Sequence, residues 1–259
     1  MPRERGTGYT LGFAAAVCVV CSILVSTAAV ALRDRQDANR ALDRQRNVLL
    51  AGGLVQPDEK LSPEDIEARF EGVRAVVIER ATGEPLPDVD TASFDLRWEG
   101  QNPETSQPVS GNPAGLARLP DRLLVYQLLE GESIDQLVLP VEGKGLWSTL
   151  YGFLALDSDT STVRGIAFYQ HGETPGLGGE IDAPRWRELW LGRRVLDDQG
   201  EIRITVIKGR AGSPAEDPHR VDGLSGATLT GNGVTNLTRF WLGDEGYGPY
   251  LGRFRGEER

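Results

Sequence analysis

Leu123-Leu124-Val125-Tyr126-Gln127-Leu128-Leu129 opens a series of apolar runs rich in β-forming residues, continued by Gln136–Val141, Ser148–Leu156 and Val163–Tyr169. Turn residues separate the runs: Gly131-Glu132, Gly143-Lys144-Gly145 and Asp157-Ser158-Asp159. Strands this close together, joined by tight turns, predict a mainly antiparallel sheet with a few helices laid on it, an α+β fold. A last strand is expected over Ile202–Ile207. From Gly233 to Leu242, Val234, Leu237 and Trp241 share one face at helical spacing, and Gly243 supplies the stop. That helix buries its apolar stripe against the sheet, with Trp241 as a core residue.

Toward the N-terminus the pattern loosens. Residues 81–120 are rich in Pro, Gly and Asp and read as a loop-bearing lobe with one strand near Phe94–Trp98. Val73–Ile78 reads as a short strand. A helix is expected to begin at Ser62: Ser62 caps it, Pro63 suits the first helical position, Asp65 stands three residues past the cap, and Leu61 and Ile66 are spaced as a hydrophobic staple. Arg33 to about Leu50 is polar and helix-forming until Gly52-Gly53 ends it. The expected organisation is a tail and transmembrane helix over 1–32, a juxtamembrane helix over 33–53, a variable α/β lobe over 54–121 and the main domain over 122–259.

Thr10–Leu32 is an uncharged run long enough, at about 1.5 Å per residue, to cross a hydrocarbon core of ~30 Å. Tyr9 suits one interface, and Arg33-Asp34-Arg35 stops the other end. The apolar region of a cleaved signal peptide is shorter, so a retained helix is expected. Arg3 and Arg5 precede the span, whereas Arg33, Arg35, Arg40, Arg44 and Arg46 follow it; taken literally, the positive-inside count puts the large domain in the cytoplasm.

The chain has 259 residues, a net charge of −10 and a pI near 4.9, with 39% apolar residues. That balance supports a packed core and excludes a nucleic-acid partner, since no basic stripe is available to neutralise phosphates. Gly176-Leu177-Gly178-Gly179 lacks the spacing of a dinucleotide fingerprint, and there is no Walker A pattern, so no NADH site is expected on this chain. Cys18 and Cys21 both fall in the apolar N-terminal run and read as packing residues. His171 and His219 belong to no cluster with metal-ligand spacing, so no metal site is expected.

Asp222-Gly223-Leu224-Ser225-Gly226-Ala227-Thr228 places one secondary hydroxyl beside small residues, in a loop that leads into a helix. Small residues admit close approach to the backbone, and a helix start offers unpaired N–H groups to an anion. On physical grounds this is a candidate phosphate site. Asp222-x-x-Ser225-Gly226-Ala227-Thr228 also resembles the flavinylation motif of the FMN-binding domain family, whose members include the C subunits of the sodium-translocating NADH:quinone reductases and the G subunits of the related Rnf complexes. Three more stretches are similar to the C subunits: Gly143–Gly152, His171–Gly178 and Trp241–Pro249. The resemblance is strong from about Val138 onward and weak over residues 51–121, whose role stays open.

The resemblance implies FMN joined through its phosphate to Thr228 by a flavin transferase that uses FAD and magnesium. It gives Ser225, Gly226 and Ala227 the task of leaving access to the hydroxyl and Asp222 that of holding the turn or being read by the transferase; these four and Gly223 are expected cofactor-binding residues. Glu173, Thr174, Leu177 and Gly178 are the second expected wall of the site. Trp147, Ser148 and Tyr151 are candidates to complete it, although a tryptophan before β-type residues also suits a sheet core; Lys144 could offset phosphate charge. The implied protein is a single-pass inner-membrane subunit with its FMN domain on the periplasmic side, opposite to the literal charge count. It relays electrons among partner subunits and is not active alone. The alternatives are an Rnf-type or other anchored FMN carrier, and a flavin-free assembly module.

Overall fold

The computed structural model describes residues 6–257; Arg3 and Arg5, which enter the charge count, lie outside the described residues. The chain divides into two compact units, residues 1–44 and 45–259. The first unit holds most of helix α1 (Thr7–Ala51), whose segment Thr7–Arg33 is long and apolar enough to cross a membrane. This candidate span contains the expected Thr10–Leu32 run, and Cys18 and Cys21 are exposed on it as free thiols. Beyond it, Asp37 pairs with Arg40 at 2.8 Å on the polar surface of the helix.

The second unit begins with the end of α1, where Val48, Leu49 and Ala51 are buried. Gly53 N–H donates to the Leu50 carbonyl and Leu54 N–H to the Leu49 carbonyl, with Gly53 at φ 72°. This is a Schellman ending at the expected glycine pair. Helix α2 (Pro63–Phe70) starts at Ser62 with a complete capping box: Ser62 Oγ accepts from Asp65 N–H, and Asp65 accepts from Ser62 N–H at 3.0 Å. Strand β1 (Val73–Glu79) follows.

The strand expected at Phe94–Trp98 is instead the start of helix α3 (Leu96–Gln101). Asp95 Oδ1 accepts from the N–H groups of Arg97 (2.9 Å) and Trp98 (3.1 Å). That cap nucleates a helical turn and overrides the β preference of the flanking aromatic residues. Short strands β2 (Ser106–Pro108) and β3 (Arg118–Pro120) pair with each other.

Strands β4 (Arg122–Glu130), β5 (Ser133–Lys144), β6 (Thr149–Asp157) and β7 (Val163–Gln170) form an antiparallel meander, and β1 adds to β4, giving a five-stranded sheet in the order β1-β4-β5-β6-β7. Residues 54–121 therefore contribute an edge strand to the same sheet. Along β5, Leu137, Leu139 and Val141 enter one core cluster, while Val138 enters a second on the opposite face. This alternation buries both faces of the sheet.

After β7 come a 3-10 turn at Gly178–Asp182, helix α4 (Pro184–Arg187) and a second 3-10 turn at Glu188–Trp190. The strand expected over Ile202–Ile207 shrinks to β8 (Thr205–Val206), paired in parallel with β9 (Arg220–Val221). Its ladder is short because β9 runs at once into the Asp222-Gly223 turn. Helix α5 (Thr228–Leu242) starts five residues earlier than its apolar spacing indicates. Gly231 and Gly233 are poor helix formers, but each sits where the helix touches a neighbour: a side chain on Gly233 would collide with the Lys144 carbonyl, and one on Gly231 would lie 3.2 Å from Val206. Packing therefore outweighs propensity. Trp241 is core, as expected, and its Nε1–H donates to the Glu142 carbonyl at 2.7 Å. Helix α6 (Gly248–Glu257) completes the described chain.

Candidate functional site

Three segments meet at one carboxylate. The β5–β6 hairpin turn, residues 145–148, is the first. The loop after β7, residues 171–178, is the second. The third is the turn 222–227 with the first residues of α5. Glu173 stands at their junction, only 5% exposed. It accepts from Trp147 N–H (2.9 Å), Ser148 N–H (3.2 Å) and Leu146 N–H (3.3 Å), and from the Thr230 hydroxyl (2.6 Å). Burial alone would raise its pKa, but the bonds from Thr230 and the three amides prevail and hold it below the ordinary value. Glu173 is thus an ionised brace rather than a solvated turn residue.

Glycines make room for this brace. A side chain on Gly178 would lie 2.5 Å from Thr230 Oγ1 and 2.8 Å from Glu173 Oε2; one on Gly145 would lie 2.6 Å from Glu173 Oε1. Ser148 adds a second tie, its Oγ accepting from Gly172 N–H at 2.6 Å. The Pro175-Gly176 turn, with Gly176 at φ 75°, is closed by Leu177 N–H and Gly179 N–H donating to the Thr174 carbonyl. Leu177 is left exposed at its tip, and Thr174 is exposed beside it.

The third segment is held from behind. Asp222 Oδ1 accepts from Ala211 N–H at 2.9 Å, and its carbonyl accepts from Trp186 Nε1–H at 3.0 Å. Gly223 lies against the backbone of residues 207–209, and a side chain there would collide with the Ile207 carbonyl. Ala227 N–H donates to the Leu224 carbonyl, closing a turn whose third residue, Gly226, sits at φ 70°. That left-handed position favours glycine and brings residue 226 under Leu177, whose Cδ2 is 3.0 Å from where a Cβ would stand.

Thr228 is the first residue of α5. It is exposed, its hydroxyl bonds to none of the described residues, and no side chain caps this helix start. A 15-residue helix thus presents its N-terminal N–H groups beside a free hydroxyl. The three segments also carry exposed apolar side chains: Leu146, Trp147, Leu177 and Leu229. Trp147 is 72% exposed, which overturns the sheet-core alternative for that residue; β6 begins only at Thr149.

The structure therefore brings together Trp147, Ser148, Glu173, Thr174, Leu177, Gly178 and the 222–228 turn. Tyr151 does not join them. It pairs with Glu142 across the sheet, on the face of Phe153 and Ala155, and the Arg97 guanidinium covers its ring at 3.7 Å. Lys144 is exposed, its stem packed on Gly115. Thr230 was not among the candidates: only its buried place at the start of α5 reveals it, and the Glu173 that it serves lies 57 residues away.

The profile of the family described as FMN-binding domain matches residues 145–243. That span contains all three segments, so the fold and the site define a flavoprotein domain of the FMN-binding class. The C subunit of the Na(+)-translocating NADH-quinone reductase of Yersinia pestis is 44% identical, the alignment covering 98% of this chain and 96% of that protein. The corresponding subunit of Pseudomonas aeruginosa is 42% identical, with 98% of each chain covered. The crystal structure of Shewanella oneidensis NqrC superposes with a TM-score of 0.75 at 33% identity, over 83% of this chain and 97% of that one. The crystal structure of the C subunit from Parabacteroides distasonis gives 0.65 at 25% identity, over 85% and 96%. The chain belongs to the family of Na(+)-translocating NADH-quinone reductase C subunits.

Proposed function

We propose that the chain carries FMN as a phosphoester on Thr228 and relays electrons between the other redox subunits of its complex on the path to quinone. The observation that carries this reading is an exposed, unbonded Thr228 hydroxyl at the uncapped start of α5, within the Asp222–Thr228 motif. When bound, FMN supplies the redox chemistry. The residues present fit such a group. The helix start offers N–H donors and a positive dipole end to a phosphate. Leu177 and Trp147 offer exposed apolar surface for a ring system, and Thr174 fixes the turn that presents Leu177. Ser225, Gly226 and Ala227 keep the approach to the hydroxyl clear.

A threonine hydroxyl is a weak nucleophile at neutral pH, so attachment requires a transferase and an activated flavin dinucleotide. Glu173 keeps the hairpin turn and α5 at a fixed separation, and Asp222 keeps the turn before Thr228 in place. Residues 45–259 act on the periplasmic side of the inner membrane, anchored by the Thr7–Arg33 helix. The chain alone oxidises no NADH; electrons arrive from and leave to partner subunits.

The test is intact mass and in-gel flavin fluorescence of the denatured chain after co-expression with a flavin transferase. The wild type is expected to gain one FMN less water and to fluoresce, and Thr228→Ala to do neither. An unlabelled wild type beside a labelled control acceptor would sink the reading in favour of a flavin-free assembly role.

A further inference from the structure

Most of the cations in the described residues of 45–257 are engaged. Among the described residues of 45–257, the Lys and Arg side chains that make no hydrogen bond, ion pair or ring contact are Lys60, Lys144, Arg185, Lys208 and Arg210. All five are exposed, and all but Lys60 lie on segments fastened directly to the turn before Thr228 or to α5. Lys208 and Arg210 sit on the loop that leaves β8. That loop runs beside the motif because β8 and β9 are parallel and exit at the same end. Their pairing continues into the loops: Ile207 N–H donates to the Val221 carbonyl, Gly223 N–H to the Gly209 carbonyl, and Ala211 N–H to Asp222 Oδ1. Arg185 is on α4, next to the Trp186 that donates to the Asp222 carbonyl. The backbone of Lys144 touches α5 at Gly233.

Free cations on the segments that adjoin the motif and α5, in a chain with net charge −10, call for an anionic partner. Asp222, the carboxylate inside the motif, accepts from Ala211 and does not pair with any of the four. Resting on the phosphoester reading, we infer that Lys208 and Arg210, supported by Arg185 and Lys144, form the docking surface for the diphosphate of the flavin dinucleotide presented by the transferase. In the transfer, Thr228 Oγ bonds to the flavin-side phosphorus, the P–O bond to the adenylyl phosphate breaks, and AMP leaves. The hydroxyl proton passes to a base of the transferase, and nothing is oxidised or reduced. The start of α5 faces the phosphate that stays. The basic loop faces the one that departs, on which negative charge grows.

The experiment is the initial rate of flavin incorporation into detergent-solubilised full-length chain by a purified transferase with FAD and magnesium. It compares wild type, Lys208→Glu/Arg210→Glu, Arg185→Glu and Lys60→Glu at low and at near-physiological salt. The double variant is expected to label at least about tenfold more slowly at low salt and to lose most of the salt dependence of the wild type. Arg185→Glu is expected to fall between them, and Lys60→Glu to match wild type. Unchanged circular dichroism and melting of the double variant separate this effect from misfolding. Wild-type rates in the double variant overturn the inference while leaving the phosphoester reading intact. So does normal labelling combined with weaker association with the other subunits, which would give the basic loop to an acidic protein partner. A wild type that never labels fails the earlier reading instead.

Discussion

Glu173 and Thr228 belong to the same small site and could hardly be treated more differently by the fold. Glu173 is buried, ionised and bonded to four donors from two separate segments. Thr228 is exposed and bonds to none of the described residues, at a helix end with no side-chain cap. One half of the site commits its polar groups to holding shape; the other keeps them free. A surface that must accept a large group needs both, because a hydroxyl at a loop's end is accessible, and it is accurately placed only if something rigid fixes it.

The contrast can be broken from either side. The largest effect is expected from Thr228→Ala, with complete loss of covalent flavin and a stability change within about 0.5 kcal/mol, as for other exposed positions. Mass spectrometry and chemical denaturation of the same sample measure both, and a large loss of stability would mean that Thr228 is structural. Glu173→Ala should show the reverse. Three amides and a hydroxyl lose a buried acceptor, which costs about 2–4 kcal/mol in urea unfolding, whereas Thr228 stays chemically available. Gly178→Ala drives a methyl between Thr230 and Glu173 and should cost about 1–3 kcal/mol; an unchanged midpoint would show that the two oxygens are not held together in solution.

The smallest effect is a pH slope. The folded pKa of Glu173 lies below its ordinary value of 4.5. Its contribution is therefore complete above that value and is lost as pH falls through the lower folded pKa. Melting temperatures between about pH 3 and 7 should drop more steeply at the acid end for the wild type than for Glu173→Gln. Parallel curves would remove the charge from the account of the brace.

The two halves also differ in how far the sequence reveals them. The Asp222–Thr228 turn is local: small residues, one hydroxyl and a helix start are all adjacent in the chain. The antiparallel meander is legible for the same reason, since each run is followed by its own turn. Glu173 is placed at the site by the resemblance alone; its role as a brace is hidden because its partners lie 25–27 residues before it and 57 after it. Helix α3 hides behind aromatic residues that favour strands, with a single aspartate deciding against them. The β8–β9 ladder is two residues long and parallel, too short to leave a periodic trace. The early start of α5 is masked by glycines that exist for contact with Lys144 and Val206 rather than for helix formation.

The span from Glu173 to Thr230 also sets a timetable. The sheet β4–β7 pairs neighbours in sequence and needs only short loop closures. At about 5–20 residues per second of synthesis, Thr230 follows Glu173 by roughly 3–11 s. Until α5 arrives and docks, the carboxylate has no hydroxyl to receive, and the hairpin turn at Leu146–Ser148 is tied to nothing downstream of Glu173. The pocket therefore sets late in the making of the domain, and a chain cut short before α5 has a sheet but no finished site. Maturation can begin only once α5 has been made and docked.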